Sequence, residues 1–600
     1  MIENIQKVLV RYWGYNGFLP LQKQAMKCIC RGQDSIVVLP TGGGKSLCFQ
    51  APAVTMPGLA IVVSPLLSLM KDQVDALTEC GVAAARIDSA QSVSEKDIVF
   101  SRIHNKTIKL LYLSPERLFS DGFIDFLKRI ELSFIAIDEA HCVSMWGHDF
   151  RPEYRQLGLL KEALPGITVS AYTATATEQV RNDIAEQLRL EKPVMLIGSF
   201  DRPNLIYKVQ LRNKIIKQVC AVLERHKGES GIIYCIRRRD VDATCAQLAS
   251  QGYIVAPYHA GMTDEDRKKN QDLFINEKVD TIVATIAFGM GIDKSNVRYV
   301  IHTGMPKSLE HYQQETGRAG RDGLEAECCL FYSGGDYGTW KKLLSDMPAE
   351  AQEIAMVKLS RMYGYCTGGV CRHKAILRYF GQDLNKHNCR ACDMCLGELD
   401  CIEDALITAQ KILSCILRLN QRFGGSYTAS VLTGSEEKRI TENNHHKLST
   451  YGLLSDYSKH TVHDWIEQLV GQDYIEKTAE YSVLNVTEKG WRVLKGEEKP
   501  LLLKPTQKPA KVSKAASDSW DGVDRGLFEA LRKLRATIAR KKVVPAYIVF
   551  SDAALRDMAR RRPSTLGGFL EVKGVGEKKC RQYGEAVLAV IKDYAIIHLP

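Results

Sequence analysis

The chain has 600 residues, 45% of them hydrophobic and 25% charged, which is ordinary for globular domains and too long for a single core. No apolar run approaches the roughly 20 residues that cross a bilayer, and Met1-Ile-Glu-Asn-Ile-Gln lacks the basic region and apolar core of a secretion signal, so neither a membrane protein nor a secreted one is expected. The 18 cysteines then read as reduced thiols plus one metal site. The net charge of +11 is concentrated at the end, where residues 525–600 hold 16 Lys and Arg against 7 Asp and Glu, a block suited to phosphate-backbone contact.

Short apolar strands alternate with helical stretches. One series is predicted at 35–39, 60–64, 109–113, 134–138 and 168–171, a second at 231–235, 281–284, 299–302 and 328–332. Such alternation argues for two parallel-sheet domains, whose ligands bind beyond the carboxyl ends of the strands. The first strand runs into Leu39-Pro-Thr41-Gly42-Gly43-Gly44-Lys45-Ser46. A strand, a glycine-rich loop and then a helix make a phosphate cradle, because glycines let backbone N–H groups approach the phosphates. Lys45 is expected to reach the β- and γ-phosphates of ATP, and Ser46 to hold Mg²⁺. The usual pattern has a glycine where this chain has Leu39.

Phe134-Ile-Ala-Ile-Asp138-Glu139-Ala-His141 is an apolar strand ending in two acids. Asp138 is expected to hold Mg²⁺ and Glu139 to orient and deprotonate the attacking water. In the second series, His311-Tyr-Gln-Gln-Glu-Thr-Gly-Arg318-Ala-Gly-Arg321 places two arginines three residues apart, cations that a second domain can bring to the γ-phosphate. Further on, Cys371 is followed by Cys389, Cys392 and Cys395. Four thiolates satisfy tetrahedral Zn²⁺, while Cys-x2-Cys-x2-Cys by itself also suits an iron–sulfur cluster. Cys366 and His387 stand nearby as competing ligands.

These segments resemble superfamily 2 helicases, and the RecQ family of DNA helicases most closely, over nearly the whole chain. On that resemblance Gln22 reads adenine and Tyr15 stacks near the base, while Leu19 stands where the family commonly has arginine. Ser64 to Gln73 and Leu113 to Arg117 look like strand-tracking motifs. Ser170-Ala-Tyr-Thr173-Ala-Thr175 looks like the segment coupling hydrolysis to movement, and the stretch from Thr285 to Asp293 like one sensing nucleotide and strand. The most discriminating stretch is His141-Cys-Val-Ser-Met-Trp146-Gly-His148-Asp-Phe150-Arg151, directly after the acids. Aromatic faces stack on unpaired bases and Arg151 adds a phosphate contact; in the family this loop reports DNA binding to the ATP site. The approach Cys371-Arg-His-Lys-Ala-Ile-Leu-Arg-Tyr-Phe-Gly matches the RecQ zinc site and favours zinc.

The resemblance implies an α/β chain of RecA-like lobes at 1–200 and 201–338, a zinc-binding helical subdomain at 339–402 and a winged-helix domain at 403–495. A Lys-, Pro- and Ser-rich flexible linker is read at 496–522, before a small all-helical HRDC-like domain at 523–600. Tyr481, near the tip of a short hairpin, is a candidate for pressing on the end base pair. The glycine turn at 572–579 looks like a helix–hairpin–helix phosphate grip, with a plain tight turn as the alternative. The reading is an ATP- and Mg²⁺-dependent 3′→5′ DNA helicase working on single-stranded and forked DNA. The family likeness adds a single-strand-binding protein and a topoisomerase as partners, and a cytoplasmic, nucleoid-associated place (nuclear in a eukaryote). An RNA helicase and a non-catalytic DNA-binding scaffold are the rivals.

Overall fold

The computed structural model describes residues 1–120, 122–147, 149–289, 294–386, 388–399, 401–478, 483–504, 520–542 and 544–598. Its first sheet holds β1 (Ser35–Val38), β2 (Leu59–Val63), β3 (Ala84–Ile87), β4 (Leu110–Leu113), β5 (Leu132–Ile137), β6 (Val169–Thr173) and β7 (Val194–Ile197). The spatial order is β3-β4-β2-β5-β6-β1-β7, with every pairing parallel. The second sheet holds β8 (Leu205–Leu211), β9 (Ser230–Tyr234), β10 (Val255–Tyr258), β11 (Thr281–Ala284), β12 (Val297–His302) and β13 (Ala326–Tyr332). It is also parallel, in the order β10-β11-β9-β12-β13-β8. The inner strands β1, β2, β4, β9, β11 and β12 are buried at every position, as strands covered on both faces must be.

The cysteine loop is stitched to the outer strand of the second sheet. Tyr207 N donates to Ala391 O at 3.0 Å, Asp393 N to Tyr207 O at 2.9 Å, and Val209 N to an Asp393 carboxylate oxygen at 2.8 Å. Behind the loop, fully buried Arg372 pairs with Asp393 at 2.9 Å and donates to the carbonyls of Tyr365 and Gly368. Phe380 stacks on Phe200, at the join of the two lobes, with centroids 4.3 Å apart.

Glu327 on β13 gathers Lys208 at 3.3 Å, Arg225 at 2.7 Å and His226 Nε2 at 2.9 Å, while His226 Nδ1 lies 2.7 Å from Glu229. Burial disfavours the charged imidazole, but the hydrogen bonds and charges of the two carboxylates outweigh it and raise its pKa to about 9. The folded value lies above the ordinary one, so the stabilisation is complete below pH of about 6.5 and disappears as pH rises through 9. Melting curves between pH 6 and 10 are expected to fall across that window, and His226→Gln to flatten the fall; an unchanged pH profile in the variant would refute this.

The winged-helix unit packs helices Ala405–Arg418, Gly425–Leu432 and Lys459–Gly471 against a two-stranded wing, β14 (Ile475–Lys477) and β15 (Leu484–Val486). Its domain does not stop at 495. Leu502 is fully buried in its core, Ile402 N donates to Leu502 O at 2.9 Å, and Trp465 Nε1 donates to Leu503 O at 2.9 Å. The linker read from 496 is therefore corrected at its start: Leu502 outweighs the flanking Lys and Pro and joins the core, while Leu501 stays exposed. Residues 505–519 lie outside the described residues.

The last unit is helical, with Arg525–Lys542, Asp552–Arg561, Leu566–Leu570 and Glu577–His598 around Leu531, Met558 and Phe569. It lies against both lobes. Arg535 meets Glu277 at 3.1 Å and Arg556 meets Glu325 at 3.7 Å, both on lobe two, while Tyr583 OH donates to Glu79 of lobe one at 3.3 Å.

Candidate nucleotide site and coupling loop

Strands β5, β6 and β1 are neighbours, so their carboxyl ends bring Asp138 and Glu139, Thr173, and the 39–46 loop to one edge of the first sheet. Helix Lys45–Thr55 begins there, with Lys45 and Ser46 in its first turn. Gly44 has φ +72°, a left-handed conformation that favours glycine, and a Cβ on it would fall 2.3 Å from Gln22 Nε2 and push that side chain aside. Buried Gln22 ties the loop down: Nε2 donates to Gly44 O at 3.1 Å and Oε1 accepts from Leu19 N at 2.8 Å. Tyr15 is half-buried beside left-handed Gly14, and Leu19 lies over the loop, 48% exposed. Lys45 Nζ donates to Leu39 O at 3.2 Å. Burial lowers the pKa of Lys45, against the opposing pull of Glu139 and Asp138.

Glu139 occupies the left-handed region at φ +49°, an uncommon place for a non-glycine residue and a mark of local constraint. Its side chain is 18% exposed and lies 3.3 Å from His141 Nδ1. Burial would raise its pKa, but the hydrogen bond and charge of His141, with Lys45 and Arg318, hold the carboxylate well below its usual range. His141 Nδ1 is also 3.0 Å from Thr173 Oγ1, which donates to Thr175 O at 3.3 Å. All three residues are buried, so the second acid connects to the end of β6 through one chain of polar contacts.

The second lobe forms the other wall. A Cβ on Gly317 would lie 3.1 Å from Thr41 Oγ1, and one on Gly42 would lie 3.4 Å from Arg321 O. Lys45, Glu139, Arg318 and Arg321 thus share one cleft, with Arg318 passing 2.8 Å from the Cβ position of Gly289. Arg202, which the sequence reading missed, ties the two walls. It donates to Thr41 O on one side, and to Ala319 O at 3.0 Å and Gly320 O at 2.9 Å on the other. The only signal was an arginine in the short Phe200-Asp-Arg-Pro-Asn connection between the sheets. Thr285 is buried at the end of β11, where its hydroxyl accepts from Ala287 N at 3.4 Å.

The loop after the acids is folded onto its own lobe. Trp146 is partly buried and borders a groove with Glu178, Asp183 and Glu186, a setting that repels phosphate. Arg151 donates to Asp149 at 3.1 Å and to Pro65 O at 3.0 Å, joining the loop to the segment that begins at Ser64. Phe150 lies beneath Arg155, 5.0 Å from the guanidinium carbon to the ring centroid. Trp146, Phe150 and Arg151, three of the predicted DNA contacts, are each engaged by protein partners in this arrangement.

The ligand atoms of Cys371, Cys389, Cys392 and Cys395 all lie within 4.8 Å of one another, with Cys371 Sγ 4.0 Å from Cys392 Sγ. Sulfurs 2.3 Å from a tetrahedral zinc stand about 3.8 Å apart, so the set fits the ion. Ala391 N and Cys395 N donate to Cys389 Sγ and Cys392 Sγ, each at 3.4 Å, as thiolates require. Cys366 is outside this cluster, in the wall of a separate cavity, which removes it as a ligand. His387 lies outside the described residues.

Five domain families match in chain order. They are DEAD/DEAH box helicase at 19–183, helicase conserved C-terminal domain at 213–323, RecQ zinc-binding at 334–396, RQC domain at 401–511 and HRDC domain at 524–591. The chain is 42% identical to the ATP-dependent DNA helicase RecQ of Pasteurella multocida, over 98% of this chain and 93% of that protein. It is 40% identical to the protein of the same name from Bacillus subtilis, over 99% of each. The chain belongs to the RecQ family.

Within this RecQ chain, His148, Asp293 and Tyr481 lie outside the described residues. Among the described residues no helix is long and apolar enough to cross a membrane. The glycine turn near the end of the RecQ chain faces protein. A Cβ on Gly14 would fall 2.4 Å from Val575 O, one on Gly576 would fall 2.9 Å from the carbonyls of Arg11 and Tyr12, and Lys578 donates to Thr78 O. These glycines permit backbone-to-backbone contact with the segment preceding Tyr15.

Proposed function

We propose that this chain is an ATP- and Mg²⁺-dependent DNA helicase that moves 3′→5′ on one strand and separates duplex, forked and recombination-intermediate DNA. The observation that carries this reading is the shared cleft: the 39–46 loop and the Arg318–Arg321 segment, from different sheets, meet at Thr41 and Gly317. In the proposal Lys45 and the loop N–H groups bind the phosphates, Gln22 and Tyr15 hold the base, and Ser46 and Asp138 hold Mg²⁺. The ion shields phosphate charge when bound. Glu139, ionised by its neighbours, orients the attacking water and takes its proton. Arg318 and Arg321 offset charge developing on the γ-phosphate. Because the arginines belong to the second lobe, hydrolysis depends on how the lobes are set, and a strand gripped across both is moved as that setting changes. His141, Thr173 and Thr175 connect Glu139 to the strand-facing side. By family likeness the proposal extends to a single-strand-binding protein and a topoisomerase as partners, and to action on the chromosome, in the cytoplasm if the cell is bacterial.

Unwinding of forked duplexes and of duplexes with single 3′ or 5′ tails tests the reading. The 3′-tailed and forked substrates are expected to be unwound with ATP and Mg²⁺, the 5′-tailed one not, and Lys45→Ala to unwind none. Unwinding from 5′ tails alone would reverse the direction, and unwinding by Lys45→Ala would end the mechanism. Stronger ATPase stimulation by single-stranded RNA than by DNA would favour an RNA substrate.

A further inference from the structure

Lys358 has no place in the cleft just described, yet three domains meet at its ammonium. It lies on helix Ala349–Thr367, beyond the second sheet, and its side chain is 16% exposed. Its Nζ donates to Trp146 O at 2.6 Å and is 3.5 Å from Gly147 O, so it holds two successive peptide carbonyls of the loop that follows the catalytic acids. The same nitrogen is 3.0 Å from Glu310, whose carboxylate is 5% exposed. Glu310 sits in the first turn of helix Leu309–Thr316, and that helix leads directly into Gly317, Arg318 and Arg321.

We propose that Lys358 is a positioning residue that relays the state of the Trp146 loop to the arginine-bearing segment of the second lobe. The argument rests on the DNA-helicase reading above. Trp146 lies beside three acids, so its ring has to leave that groove to meet a nucleic-acid base. Its peptide group turns with it, and the 2.6 Å bond to Lys358 breaks or is re-aimed. The ammonium then falls to Glu310 alone. A buried carboxylate whose cation changes partners shifts its preferred position, because a charge pair in a low-dielectric setting is strong and directional. Glu310 is in the first turn of helix Leu309–Thr316, so a changed pull on its carboxylate is felt by that helix, whose far end is held to Thr41 of the nucleotide loop through Arg202. Lys358 acts through Glu310 and touches no reacting atom.

The test compares ATPase rates with and without a single-stranded oligonucleotide for the wild type, Lys358→Ala, Lys358→Arg, Glu310→Gln and the double variant Lys358→Ala/Glu310→Gln. The quantity read is the ratio of the two rates. Lys358→Ala is expected to lower that ratio at least about tenfold, with Lys358→Arg recovering part of it, since a guanidinium still donates to a carbonyl and pairs with a carboxylate. Glu310→Gln is expected to lower the ratio similarly, and the double variant to be no worse than either single one, as members of one relay behave. A merely structural strap would lower both rates together and leave the ratio within twofold, which overturns the proposal, as do fully additive losses. Should Lys358→Ala melt well below the wild type, the ratio in Glu310→Gln decides. A wild type without stimulation by DNA overturns the helicase reading and the relay with it; normal stimulation with an unchanged ratio in the variants overturns the relay alone.

Discussion

Glu139→Gln is expected to keep nucleotide binding and to lower DNA-stimulated ATP turnover by about 10² to 10⁴-fold, the usual contribution of a positioned general base. The substitution preserves shape at a corner where shape is constrained, since the backbone there is left-handed and the side chain is fixed beside His141 at 3.3 Å. What it removes is charge. The neighbouring His141, Lys45 and Arg318 keep Glu139 ionised, so the loss is that of a carboxylate able to accept a proton from water. Lys45→Ala differs in kind: it removes the one cation on the phosphate loop and should weaken nucleotide binding as well as turnover. Equilibrium binding of a fluorescent nucleotide, beside steady-state turnover, separates the two. Turnover within threefold of wild type in Glu139→Gln would take Glu139 out of the chemistry.

The parts of the fold legible in the sequence are those buried on both faces. Inner strands such as Ser35–Val38 and Thr281–Ala284 read as short apolar runs because helices cover both sides. The four strands left unread, β3, β7, β8 and β10, are the four sheet edges. The edge strands break the apolar run more often: Arg86 in β3, alternating exposure in β7, Lys208 and Gln210 in β8, Pro257 in β10. The site divides in a similar way. The phosphate loop, the paired acids and the arginine pair are contiguous, so their chemistry is written locally. Arg202 and Lys358 act across folds, 161 residues from Thr41 and 212 from Trp146, and nothing local marks them. The turn at Gly574 and Gly576 carries a different lesson. Glycine suits a phosphate grip and a close backbone contact for the same reason, the missing Cβ, so spacing alone does not separate them. In the structure Val575 and Gly576 make the contact, with Gly14, Arg11 and Tyr12, while Gly574 has open space beside it and serves the left-handed turn at φ +85°.

Loss of the zinc site is expected to cost the fold more than any other single change. Cys392 is fully buried, bridges to Tyr207 of β8 and precedes Asp393, the partner of buried Arg372. Without the ion, four thiolates within 4.8 Å repel one another or take up protons, and the 389–395 turn loses its anchor. Opening that turn unpairs Arg372 and Asp393, a buried pair whose breaking costs about 3–5 kcal/mol. Structural zinc is worth about 10–16 kcal/mol in small zinc peptides, as much as the whole stability of a typical domain. The second lobe should feel this directly, since Tyr207 and Val209 both exchange hydrogen bonds with the turn. Metal analysis of purified protein is expected to give one zinc per chain and no visible absorption band. Cys392→Ser should lose the zinc, melt at lower temperature and accumulate poorly, whereas Cys366→Ser, outside the cluster, should keep it. A Cys392→Ser protein that retained a full equivalent of zinc and the wild-type melting temperature would show that the four thiols do not form the site.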